Sequence, residues 1–139
     1  NIVSTLQALV DISEVKSVTV EYNGAEHTID ITHNDSDMTF VLDGQKVDTK
    51  ITQAIYKSIV GLAVDGVYKD ETLGDTVMRI KYKGIKSSSD TEIEFKSIDD
   101  LYCALIRNGK TEFTIKKSKL NEFMDLFNTY VENPEKQGD

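Results

Sequence analysis

Two histidines, one cysteine and two close pairs of aspartates are the side chains whose type and spacing could do chemistry. Nucleophilic catalysis of the Ser-His-Asp or Cys-His kind needs a base within hydrogen-bond reach of the nucleophile, and only His27 and His33 could serve. His27 falls on the inward face of an alternating segment, where a histidine satisfied by its strand neighbours is expected. Cys103 stands inside the run Leu-Tyr-Cys-Ala-Leu-Ile and is expected as a small core side chain. The acidic pairs, Asp35 with Asp37 and Asp99 with Asp100, could act as acid and base if one member were desolvated, or ligate calcium through oxygen. A calcium loop of the EF type counted from Asp35 would need glycine where Phe40 stands and a bidentate glutamate where Lys46 stands. Turn carboxylates that bond their own backbone are therefore the expectation at both pairs. Gly61 and Gly66 have the spacing of a phosphate loop, but the chain continues Val67-Tyr68 where lysine and a hydroxyl are required. Asn34-Asp35-Ser36 satisfies the N-glycosylation tripeptide, which matters only in a secreting eukaryote. These patterns assign no catalytic, cofactor-binding or metal-ligating residue.

The elements that would carry these side chains follow from periodicity. Ile2, Leu6, Leu9 and Val10 recur at helical spacing with Ser4 as a cap, so a short helix is expected over the first dozen residues. From Lys16 the period becomes two. Val18, Val20 and Tyr22 alternate with polar residues up to Asn23-Gly24, a tight hairpin signal, and His27, Ile29 and Ile31 continue on the partner strand. A polar loop over 33–37 leads to a third strand with Met38, Phe40 and Leu42, which stops at Asp43-Gly44. Ile51, Ala54, Ile55, Ile59 and Leu62 then form a helical stripe with Asp48 as N-cap. Residues 68–72 read as a connection.

The second half repeats this grammar. Met78, Ile80 and Tyr82 alternate over 77–83, Ile93 and Phe95 over 92–96, and a loop tip lies between them at 87–90. Residues 101–107 are apolar on both faces, as a central strand is, and Asn108-Gly109 turns them into a strand carrying Phe113 and Ile115. Ser118 is expected to cap a final helix with the stripe Leu120, Phe123, Met124, Phe127 and Val131, ending before Pro134. Val18, Val20, Tyr22 and Gly24 fall on Met78, Ile80, Tyr82 and Gly84. Asp43-Gly44 falls on Asn108-Gly109, and Ile51, Ala54, Ile55 and Leu62 fall on Leu120, Phe123, Met124 and Val131. The reading is one α+β domain over 1–139: an antiparallel sheet with amphipathic helices on one face. It is organised as two tandem strand-strand-strand-helix units, roughly 15–66 and 75–132, with a flexible tail at 133–139.

Composition narrows the partners. With 24 acidic against 16 basic residues the net charge is -8, which repels phosphate backbones and anionic membrane surfaces, so nucleic acid is not an expected partner. Tyr22, Phe40, Tyr82 and Phe95 could line a ligand groove, but without flanking basic residues they lack the electrostatic funnel of a single-strand binder and are expected in the core. No apolar run approaches the about 20 residues needed to cross a bilayer. The chain begins at Asn1 with neither a basic stretch nor an apolar signal core, so a processed or trimmed start is expected, with an anchor to be sought upstream.

Several stretches together resemble the domain of unknown function 4340 family: Val15-Lys16-Ser17-Val18-Thr19-Val20 leading into a hairpin, Asp43-Gly44 before Val47-Asp48, and a helix carrying Tyr56. The likeness continues with Leu62-Ala63-Val64-Asp65-Gly66, Thr91-Glu92-Ile93-Glu94-Phe95, Asn108-Gly109-Lys110 and Phe113-Thr114-Ile115. It spans nearly the whole chain and carries no catalytic signature. It implies a bacterial extracytoplasmic domain, usually tethered by an N-terminal membrane segment and often encoded near auxiliary components of gliding-motility-type ABC transporters. The expected function is a non-catalytic binding or scaffold domain with a protein partner in the cell envelope and no cofactor. Two alternatives stand beside it: a small-ligand or metal-binding module using the loops around Asp35 and Asp99, and a carboxylate-dependent hydrolase.

Overall fold

Alternation builds the strands and three Asx-Gly pairs set their hairpins. Asn23-Gly24, Asp43-Gly44 and Asn108-Gly109 all hold φ between 50° and 85° at both positions, the left-handed pair that lets a two-residue turn follow the twist of its strands. The computed structural model describes residues 14–34, 37–62, 64–86 and 90–132. In chain order the elements are β1 (Val15–Tyr22), β2 (Ala25–Asn34), β3 (Asp37–Leu42), β4 (Gln45–Lys46), α1 (Thr49–Val60), β5 (Gly66–Val67), β6 (Thr76–Gly84), β7 (Thr91–Ser97), β8 (Tyr102–Arg107), β9 (Lys110–Lys116) and α2 (Lys117–Glu132). The strands form one sheet of nine in the order β4-β3-β2-β1-β6-β7-β8-β9-β5. Every neighbouring pair is antiparallel. The expected α+β architecture is thus present as a single continuous sheet.

Period two sends one row of each strand into a common core. Val18, Val20 and Tyr22 of β1, Ile29 and Ile31 of β2, Phe40 and Leu42 of β3, and Met78, Ile80 and Tyr82 of β6 are all buried. So are Ile93 and Phe95 of β7, Cys103 and Leu105 of β8, and Ile115 of β9. Ile51, Ile55 and Ile59 of α1 and Leu120, Phe123 and Phe127 of α2 close the same cluster. Each such side chain contributes about 1.5–3 kcal/mol relative to exposure. The opposite row is polar, with Ser17, Thr19, Glu21, Thr28, Arg79, Lys81, Glu92 and Glu94 facing away from the helices.

Two crossovers tie the sheet together. Through the antiparallel ladder β4, β5 and β6 all run in one direction, so the passages from β4 to β5 and from β5 back to β6 are both parallel connections. Connections of the same hand that move in opposite directions must use opposite faces. The helix α1 takes the first, and residues 68–75 take the second over the helix-free face. That explains why Ala104 (0% exposed) and Ile106 (8%), which point away from the helices, are buried. The strap is staked at its ends: Tyr68 N donates to Glu112 O (3.0 Å) and Gly74 N to Ser97 O (2.7 Å).

Several sequence expectations change. The two-residue strands β4 and β5 were not foreseen, being too short to show alternation. His33 and Asn34 belong to β2 and Asp37 to β3, so three of the five positions expected as a polar loop over 33–37 are strand, because cross-strand pairing of His33 with Met38 and of Asn34 with Asp37 extends the ladder. Leu101 is 68% exposed and lies outside β8. Ser118 is not the cap, because α2 begins one residue before it. The expected helix at 2–12, most of the loop tip at 87–90 and the tail 133–139 lie outside the described residues.

One core group is under strain of a different kind. Tyr82 is buried, its hydroxyl meets no hydrogen-bond partner among the described residues, and burial pushes its phenol pKa up. A buried donor left unbonded costs about 1–3 kcal/mol. Tyr82→Phe is therefore expected to raise the melting temperature by about 3 °C, the equivalent of ~1 kcal/mol in a domain of this size. A fall of that size in a thermal scan would show that the hydroxyl is satisfied in solution.

Candidate functional site

The aspartate-glycine turn after β3 delivers a carboxylate to the first histidine. Asp43 N donates to Thr28 O, Thr28 N donates back to Asp43 Oδ1 (2.8 Å), and the other carboxylate oxygen accepts from His27 Nδ1 at 2.7 Å. Acceptance by the carboxylate fixes the proton on Nδ1. The imidazole is walled by Tyr22 and Phe127, with ring centroids 5.9 and 6.0 Å away. Tyr22 Oη in turn donates to Asn128 Oδ1 at 3.2 Å. Among the described residues no serine or threonine hydroxyl and no cysteine thiol is hydrogen-bonded to His27, whose ring is oriented by Asp43. His33 Nε2 donates to Val15 O at 2.7 Å. Both are strand histidines bonded within the fold, His27 as the alternation predicts and His33 where a loop was expected.

The thiol and the second acidic pair are likewise accounted for. Burial pushes the Cys103 thiol up, away from the thiolate that reactivity needs. Asp99 Oδ1 accepts from Leu101 N and Tyr102 N, each at 2.8 Å, and these two amides hold its carboxyl below the ordinary range. This is the turn role expected from sequence. Asp100 is exposed beside it. Asp35 and Ser36 lie outside the described residues, while Asn34 ends β2 and Asp37 opens β3. Among the described residues no three His, Cys, Asp or Glu side chains converge as a metal cage would require.

Sequence reasoning missed Asp65. Its carboxylate accepts from Lys116 N (2.8 Å) and Lys119 Nζ (2.8 Å), at the junction where β9 runs into α2. Burial alone would raise the Asp65 pKa, but the Lys119 ammonium and the Lys116 amide outweigh it and hold the carboxyl below its usual value. The helix has no acidic residue in its first turn, so this carboxylate supplies the negative charge that a helix start favours. Also missed was the lattice on the helix-free face. Arg79 meets Glu94 at 2.9 Å, Glu92 at 3.4 Å and Glu21 at 3.5 Å, and Lys81 meets Glu21 at 2.9 Å. Register alone brings these together, since Arg79 pairs with Glu21 on one side and Glu94 on the other.

Two of the depressions among the described residues carry polar groups that a ligand could meet. One, of about 580 Å³, is lined by Ser17, Thr19, Lys81, Lys83, Asp90, Glu92 and Asn108 on the helix-free face. Its polar groups are largely spent: Asn108 Oδ1 accepts from Glu92 N, Asp90 Oδ1 from Gly84 N, and Lys81 and Glu92 belong to the ion lattice. The other, of about 330 Å³, lies between the helices over Leu62, Phe123 and Leu126, with Lys57, Lys119 and Glu122 at its rim. Comparison with known proteins finds no relative: no family model, no curated protein and no solved structure matches the chain.

These bonds forecast how the loops respond to metal. A calcium site occupied at a hundred times its Kd would add about 2.7 kcal/mol, or ~9 °C of melting temperature for this length of chain. Millimolar calcium is expected to move the melting temperature by less than about 1 °C, because Asp99 is engaged by its own backbone. A calcium-dependent rise that Asp99→Asn removes would revive the metal-binding alternative.

Proposed function

We propose that this chain is a non-catalytic binding or scaffold domain of a bacterial cell-envelope protein, held outside the cytoplasmic membrane and auxiliary to an ABC-transporter-type assembly. The observation that carries the non-catalytic part is the spending of the reactive groups on the fold itself. Asp43 is turned onto His27 and Thr28, Asp99 onto its own loop, Asp65 onto the start of α2, and Cys103 into the core. The resemblance to the domain of unknown function 4340 family supports the location and the partner class, and the net charge of -8 suits a soluble domain that does not adhere to anionic lipid.

Two measurements on the native full-length protein test this. External protease added to intact spheroplasts is expected to degrade the domain while a cytoplasmic marker survives; protection until lysis would overturn the location. Purified protein is expected to turn over no ester, glycoside, phosphate or peptide substrate. Turnover abolished by His27→Ala or Asp99→Asn would overturn the non-catalytic reading.

We further propose that the two halves are copies of one β-β-β-β-α unit, related by a pseudo-twofold axis through the facing pair Thr19 and Lys81. The registers support a correspondence two residues away from the one the alternation suggests for the first strand. Val18 opposite Ile29 matches Ile80 opposite Ile93, and Ile31 opposite Phe40 matches Phe95 opposite Leu105. The turns support it too. Asp43 exchanges bonds with Thr28 as Asn108 does with Glu92: backbone amide to carbonyl one way, amide to side-chain oxygen the other. In the helices Ile55 and Ile59 match Phe123 and Phe127 in burial. An experimental structure in which residues 15–60 fail to superpose on 77–128 with the helix in place would sink the idea.

A further inference from the structure

We draw no further inference here: the strongest candidate, the groove between α1 and α2 floored by Leu62, Phe123 and Leu126, has its rim lysine Lys119 already held by Asp65 and nothing in the structure shows what covers it.

Discussion

Replacing Asp65 by alanine is expected to lower stability by about 1–2 kcal/mol and the melting temperature by ~3–7 °C. The Asp65 side chain is 16% exposed on a residue that is exposed as a whole, so solvent partly screens its ion pair, and its removal also takes the acceptor from the Lys116 amide. Lys119 is twice as exposed at 33%, so Lys119→Ala, which removes the ammonium but leaves the amide bond, is expected to cost about 1 kcal/mol or less. Acid makes a second, independent reading. The Asp65 carboxyl titrates in the folded chain below its ordinary value of 3.8. Its contribution is therefore fully present above that value and is lost as pH falls through the lower folded one. Glu94 acts in the same direction: burial would raise its pKa, but the Thr76 hydroxyl and the Arg79 guanidinium hold it below 4.5. Melting temperature is thus expected to be flat from neutrality to about pH 5 and to fall below about pH 4, and the difference between the native chain and Asp65→Ala should shrink over that same range. An alanine variant that melts within 1 °C of the native chain at pH 7 would show that the link between β5 and α2 is held by something else.

What made the sheet legible from sequence, and Asp65 not, is the range over which each signal acts. Strands reveal themselves through neighbours two apart, and the three Asx-Gly turns announce a left-handed conformation that few other residues accept. Asp48 as the cap of α1 is equally local, since Ile51 N donates to its Oδ1 three residues away at 2.9 Å. Nothing local points from Asp65 to Lys116. That contact exists because the passage through α1 carries the chain from β4 at one edge of the sheet to β5, paired with β9, at the other, a topological fact that no window of residues contains. The same holds for the strap over Ala104 and Ile106, whose run of apolar residues correctly signalled burial on both faces without saying what covers the second one. Leu101 was misjudged because it continues that run in composition, yet it falls in the turn that Asp99 organises, where its side chain has no neighbour strand to face. The reactive side chains were legible in kind: His27, Cys103 and Asp99 serve the fold as their surroundings predicted. His27 found its partner Asp43 through hairpin register, a consequence of pairing Ile29 with Leu42.

Phe127→Ala is expected to have the largest effect of any substitution considered, about 3–5 kcal/mol. That would be a large share of the ~5–15 kcal/mol by which a domain of this kind is stable. Phe127 is 1% exposed and packs on Phe123 within its helix (centroids 5.7 Å), on Tyr22 of β1 (6.2 Å) and on His27 of β2 (6.0 Å). The position matters because of where α2 goes. It starts against β9, near one edge of the sheet, and its C-terminal half lands on the β1–β2 hairpin on the far side of the central β1–β6 pair. Phe127 is thus the side chain through which the second half of the sequence grips the first from above, while β1 and β6 grip from within the sheet. The helix has little of its own to fall back on, since Asn121, Asn128, Thr129 and Val131 are all modest helix formers and the first turn carries no acid. Truncation should therefore loosen α2 beyond Phe123 and release the Tyr22–Asn128 bond, visible as lost near-ultraviolet dichroism from the tyrosines at temperatures where the far-ultraviolet strand signal persists. Leu126, one residue earlier and 38% exposed, is the control: Leu126→Ala should cost about 1 kcal/mol or less. Equal melting temperatures for the two variants would mean that α2 does not pack across the hairpin, and the link it makes between the two halves would have to be abandoned.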